Sequence, residues 1–329
     1  MAIPTARLLA RLVADDLLPP AQAAAIADDE RTRPFSLHYE LRALLYVGSV
    51  LLVGGLGVLI YENRDSLGQE AITALIALLM VASFTYAARH RPAFTWGEAP
   101  RTRIAADYLL LLGCLLFLVL EGYVQYAYGV FGTRYGLVTL LPAVLFFALA
   151  YRYDHRGVLS MAVTALAAWV GVSVAPLAVF QNTDYLQAIL SRPALGLGLA
   201  LVAAGLASER WQRKAHFAYT YLLLGSNLAL LSATSLFFER TGLAAVSCWL
   251  LVLGICAGLV WYARRTQSYL FLLLAVGYSY VVGTVGLYRL LQAGQLEDLL
   301  FGLGALYFPL TLGALVLFFV KIKKILRLK

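Results

Sequence analysis

At 329 residues, 61% hydrophobic and only 13% charged, the chain is far more apolar than a soluble domain, for which about 45–50% and 25% are usual; a large soluble core is excluded, and a bilayer is the solvent that fits. A net charge of +8 would point to nucleic acid in a soluble protein. Here the basic residues sit in the short segments between apolar runs, which assigns them to membrane orientation and contact with anionic lipid headgroups, with no nucleic-acid partner.

Residues 1–40 differ from the rest and read as an amphipathic helical hairpin. Leu8, Leu9, Leu12 and Val13 recur at helical spacing, and Ala21, Ala24 and Ala25 give a second helix a small apolar face. Pro19 and Pro20 separate the two, because a proline disfavours helical geometry in the residue before it. Helices this short do not hold together alone. The hairpin is therefore expected to dock on the membrane, on the basic loops or on a partner chain, self-association included. No cleavable signal peptide precedes the first apolar run, which is expected to act as an uncleaved signal-anchor.

Ten apolar runs follow, roughly residues 42–61, 68–88, 104–128, 135–151, 157–180, 193–208, 215–238, 242–263, 267–288 and 299–320. Most reach the about 20 residues that a helix needs to cross a ~30 Å hydrocarbon core. With the N-terminus placed in the cytoplasm, twenty-one Lys and Arg residues fall in inner segments. Five (Arg64, Arg134, Arg192, Arg240 and Arg289) fall one to each outer loop. That alternation is the positive-inside pattern. The expected fold is an all-α polytopic membrane protein of about ten transmembrane helices, both termini cytoplasmic, with the hairpin at 1–40 and the transmembrane domain at 41–329.

A short Leu-rich hairpin ending in PAQAAAI, followed by LLYVGSVLLVGGLGVLIYENRDSLG, resembles the bacterial predicted membrane proteins of domain-of-unknown-function family 2157. The likeness covers about residues 5–90, with Arg64 where the family pattern has tryptophan. It implies a bacterial cytoplasmic membrane and brings no activity with it.

A second signal is internal. Gly48-Ser49 in the first run corresponds to Gly225-Ser226 in the seventh, and Glu62 to Glu239, each fourteen residues after its glycine. The second and eighth runs end in TYAARH and WYARRT, and the fourth and tenth carry VLFFALAYRY and VLFFVKIKK. Six helices separate the copies, so they point the same way. A parallel repeat of units 41–153 and 215–323, flanking linker helices at 157–208, is one reading. The other is that Leu/Gly-rich helices resemble one another.

Soluble catalytic motifs are absent: no phosphate-binding glycine loop, no GxSxG, no HExxH. His38, His90, His155 and His216 lie at inner helix ends, where interfacial capping accounts for them without a metal. Cys114, Cys248 and Cys256 lie inside apolar runs with no disulfide or ligand spacing. No cofactor is implied. Polar residues within spans are costly and normally face a bundle interior or cavity, which singles out Glu121. It stands about 17 residues into the third run, in the outer third of the bilayer, with Gln125 one turn on and Tyr123, Tyr126 and Tyr128 around it. A proton- or cation-linked site and a carboxylate paired with an outer arginine are the alternatives.

Further candidates are Asn227 in the seventh run and Tyr280 and Thr284 on one face of the ninth with Gly277 and Tyr288. Glu62, Arg64, Asp65, Glu239 and Arg240 are candidate ion pairs at the outer helix ends. Gly254-x-x-x-Gly258 reads as a close-packing motif within the bundle, and Pro142, Pro176 and Pro309 as kinks. Asp107 and the Asp154-His155 neighbours are the inner-side acids, and adjacent residues on a helix do not face each other.

Three functions of different class follow. A transporter or permease-like protein for a small solute or ion, with its polar site toward the outer face, ranks first. A non-catalytic scaffold or accessory subunit of a membrane complex is second. An intramembrane lipid-modifying enzyme is third, since it needs a convergent His, Asp or Arg cluster at one interface.

Overall fold

The computed structural model describes residues 9, 12–32, 44, 45, 47–55, 57, 58, 68–100, 104–132, 135–174, 188–294 and 297–325. The chain divides into two compact units, Met1–Val58 and Leu59–Lys329.

In the first unit the helical turn at residues 12–14 closes with Leu17 N–H on Leu12 O at 2.9 Å. Asp16 takes a left-handed conformation (φ 54°), and α1 starts at Pro20 and runs Pro20–Thr32. Proline suits that first position, where its missing N–H would have no helical partner. The break therefore falls at the Leu-Pro-Pro stretch. Residues 47–55 are helical, within the first apolar run. Leu8, His38, Glu62, Arg64 and Asp65 lie outside the described residues.

The second unit contains α2 Gln69–Arg89, α3 Ile104–Tyr128, α4 Tyr135–Tyr153, α5 Arg156–Val174 and α6 Ala188–Arg210. A short 3-10 turn, Ala215–Phe217, then leads to α7 Ala218–Glu239, α8 Gly242–Thr266, α9 Tyr269–Ala293 and α10 Glu297–Ile325. No strand occurs among the described residues. Among the described residues eight helices, from α2 to α9, are long and apolar enough to cross a membrane, and α10 carries an apolar stretch, Leu306–Ile322. They correspond to the second through tenth apolar runs. The chain is an all-helical integral membrane protein.

Consecutive helices pack as hairpins: α2 with α3, α4 with α5, α6 with α7 and α8 with α9. The bundle centres on α7, which also meets α5, α8 and α9. Two-thirds of its span (67%) is buried inside the protein, against 22–39% for the other seven. Lipid offers no hydrophobic drive to bring helices together, so close contact needs small residues. A Cβ on Gly198 of α6 would lie 2.6 Å from the backbone N of Ala229, and one on Gly225 of α7 would lie 2.9 Å from Gly198 O. The two backbones touch there, and a Ser191–Ser235 hydroxyl bond of 3.0 Å adds a polar tie. Ser226, Ser232 and Thr234 on α7 are also buried.

Gly254 and Gly258 behave otherwise. Among the described residues nothing lies within 4 Å of a Cβ at either, and both are exposed. The motif faces away from the bundle, which corrects the expectation of close packing within it; the glycines at the tight crossing are those of α6 and α7.

Two cores result. One joins α7, α8 and α9 through Leu230, Phe237, Val252, Leu259, Phe271 and Val282. The other joins α3, α4 and α5 to the start of α7 through Leu110, Cys114, Phe146, Val158, Leu159 and Phe217. The α3–α4 seam is thin compared with the α4–α5 contact. Pro142 lies within α4, Pro193 within α6 and Pro309 within α10; Pro176 lies outside the described residues.

Candidate functional site

Two shielded carboxylates occupy opposite ends of the second unit. The first lies where the loops after α2, α4 and α6 meet, the basic end. After α4, Asp154 adopts a left-handed conformation (φ 58°) that swings the chain into α5. Its Oδ1 accepts Lys214 Nζ at 2.7 Å and His216 Nε2 at 2.6 Å, and its Oδ2 accepts the Ala99 N–H at 2.6 Å. The side chains of Lys214 and Asp154 are only 1% and 5% exposed.

Lys214 is likewise left-handed (φ 51°), and its N–H donates to Trp96 O at 2.7 Å. Non-glycine residues in this region carry about 1–3 kcal/mol of strain each and persist only where their surroundings hold them. Those surroundings are the ion pairs just described, with Lys214 Nζ also 5.4 Å above the Phe94 ring. Burial alone would raise the Asp154 pKa. The bonds from Ala99 and Lys214, with the charges of His216 and Lys214, outweigh it and hold the carboxyl below its ordinary value.

The α2–α3 loop is tied at further points. Arg152 donates to Pro92 O at 3.2 Å, and Arg156 pairs with Glu98 at 3.2 Å. His155 is occupied separately: its Nδ1 accepts the Val158 N–H at 3.2 Å and caps α5. The two neighbours serve different elements, and Asp154 finds its partners 60 and 62 residues further along. His90 Nδ1 donates to Tyr86 O at 2.9 Å, one turn back along α2.

The second carboxylate is Glu121, in the far half of α3. It is 7% exposed and continues the stripe of buried Leu110 and Cys114 and half-buried Phe117 along that helix. Its Oε1 is enclosed, and among the described residues it has no hydrogen-bond partner. Phe117, one turn away, lines a membrane-facing cleft of about 690 Å³ with Phe131, Leu137, Leu141 and Val144.

The neighbours named from sequence are placed differently. Gln125 accepts the Phe131 N–H at 2.8 Å and donates to Gly132 O at 3.2 Å, closing the α3–α4 turn. Tyr126 is 76% exposed, and Tyr123 is half-buried. Glu121 is thus not drawn into one cluster with them.

Asn227, Tyr280 and Thr284 belong to the α7–α9 region. Asn227 Oδ1 accepts the Tyr278 hydroxyl at 2.9 Å. Thr284 donates to Tyr280 O at 2.7 Å and meets the Tyr307 hydroxyl at 2.7 Å, joining α9 to α10. At the far end of α7, among the described residues, no ion pair joins Glu239 and Arg240. Instead the Arg289 guanidinium donates to Phe237 O, Phe238 O and Arg240 O at 2.6–2.9 Å and stacks 4.6 Å over the Phe237 ring. It satisfies carbonyls that the helix end leaves without partners.

Sequence reasoning missed Lys214 and Arg289 as bonding centres. For Lys214 a signal existed: it is the one lysine in residues 1–320, where every other permanent cation is arginine.

No curated protein and no solved structure matches the chain. Residues 10–159, from the hairpin through α4 into α5 and including both Glu121 and Asp154, match the family described as predicted membrane protein, DUF2157, which bears out the likeness seen over residues 5–90 and carries it further along the chain.

Proposed function

We propose that the protein is a permease-like carrier of a small solute or ion in a bacterial cytoplasmic membrane, with both termini cytoplasmic and Glu121 as its working group. The observation that carries this reading is the enclosed Oε1 of Glu121 within an apolar span, which has no partner among the described residues. An isolated carboxylate in lipid is either protonated or matched by a cation that arrives with the solute. Each state differs in charge, which is what a coupled carrier needs. The thin α3–α4 seam supplies a place for movement, with the cleft beside Phe117 as the approach from the membrane. Gln125, Tyr123 and Tyr126 then belong to the mouth of that path, and Asn227, Tyr280 and Thr284 to the second core. The N-terminal hairpin docks on a cytoplasmic partner or on a second copy of the chain.

Proteoliposomes loaded with a pH-sensitive dye test the proposal. Proton flux is followed under imposed gradients of H⁺, Na⁺ and K⁺. Glu121→Gln should abolish any gradient-driven flux while the melting temperature holds. Undiminished flux per folded molecule in that variant removes Glu121 from the path. A scaffold is the second reading, favoured by the outward Gly254–Gly258 face of α8, and it predicts no flux in the parent protein under any gradient.

A further inference from the structure

The cluster at the basic end raises a question that transport does not answer. A loop without regular structure, residues 91–100, is tied to the bundle by Arg152, Asp154, Arg156 and Lys214, and the buried ion pair is costly to assemble because two charges leave water. Yet the loop presents Trp96 outward at 52% exposure, and Trp211, two residues before Arg213, is 70% exposed. The Arg213 guanidinium stacks 5.1 Å over the Trp96 ring, and Trp211 and Arg213 line a cavity of about 380 Å³.

We infer that Trp96, Trp211 and Arg213 form a binding site for the phosphate of an anionic phospholipid headgroup. Three observations converge. The acids nearby are already spent: Glu98 on Arg156, Glu209 on Arg265 at 3.3 Å, and Asp154 on Lys214 and His216. Among the described residues, Arg213 has no carboxylate partner, so its positive charge is available. Stacked on indole, a guanidinium keeps its N–H edge for the paired oxygens of a phosphate, a geometry that lysine cannot copy.

The position fits as well. Tryptophans favour the headgroup level of a membrane, where an apolar ring and a polar edge are both satisfied, and the site lies where α2 and α6 end. Its wall is also preset. The Lys214 N–H bond to Trp96 O and the Asp154 bond to Ala99 hold the tryptophan loop in place before any lipid arrives, so little ordering remains to be done on binding. The site is independent of the transport reading and requires no movement of α3.

Purified protein in neutral detergent is titrated with phosphatidylglycerol or phosphatidylcholine, and bound lipid is counted by native mass spectrometry. The parent should retain phosphatidylglycerol in preference to phosphatidylcholine. Arg213→Gln should weaken that retention by about tenfold, and Trp211→Leu by less, with melting temperature held. Arg264→Gln, which removes the same charge from the same end, should leave retention unchanged. Equal losses in the Arg213 and Arg264 variants would show diffuse charge attraction and overturn the site, as would equal retention of the two lipids. Displacement of phosphatidylglycerol by millimolar inorganic phosphate would also overturn it, by showing an anion site indifferent to lipid.

Discussion

Asp154 and Glu121 are both carboxylates shielded within an apolar protein, 5% and 7% exposed, yet their surroundings are opposite. Asp154 receives three donors, the Lys214 ammonium among them, from segments 55 to 62 residues away. Glu121 sits in the far half of one helix, and among the described residues no donor reaches its Oε1. The contrast separates two uses of a buried acid. A carboxylate whose lone pairs are filled from distant parts of the chain fastens those parts and gains nothing from changing its charge. In the proposed carrier, one left unfilled is the group that binds and releases.

The largest effect that can break this comparison is at the fastening. Asp154→Ala strands Lys214 as an uncompensated buried cation, and removing one partner of such a pair costs about 3–5 kcal/mol. Thermal or denaturant unfolding in detergent should register a loss of that size, and a loss below about 1 kcal/mol would reduce the cluster to an ordinary surface pair.

Protonation probes the same group more gently. Its folded pKa lies below the ordinary value of an aspartate, so the stability it provides is fully present above that ordinary value. It is lost as pH falls through the lower folded pKa. Stability measured between pH 5 and 3 should decline in the parent and decline less in Asp154→Asn.

Third in size is the α6–α7 crossing. Gly198→Ala drives a methyl into the backbone of Ala229 and should cost about 1–3 kcal/mol. Gly254→Ala, facing open space, should change stability by less than about 0.5 kcal/mol.

The smallest expected effect sharpens the comparison most. Glu121→Gln removes no hydrogen bond from Oε1 among the described residues, so the melting temperature should stay close to that of the parent; a loss comparable to that of Asp154→Ala would show that Glu121 is a fastening too.

Much of this fold was legible because the membrane imposes length and polarity rules that are local in sequence. The apolar runs locate α2 to α10, and the proline pair marks the break before α1. The candidate sites were less legible, for a physical reason. Glu121 shows itself because a carboxylate in an apolar run is anomalous whatever surrounds it. Asp154 does not, since an acid in a basic loop looks solvated until the fold brings Lys214 and Ala99 to it. Gln125 shows the limit of such reading: polarity near Glu121 in sequence says nothing of the local use that the structure gives its amide in the turn at 129–132. The Gly254–Gly258 pair had the spacing for close packing, but spacing says nothing of which face a helix turns toward its neighbours.

Lys214 has one further consequence, a chemical one. Its amine is enclosed, while the other lysines, Lys321, Lys323, Lys324 and Lys329, cluster at the chain's end. An acylating reagent that attacks free amines therefore meets a shielded target at position 214. Modification there requires the salt-linked loops to part first. A peptide map taken over time would follow Lys214 as a built-in clock for opening of that end of the bundle, with the exposed Lys321 as an internal standard for reagent strength.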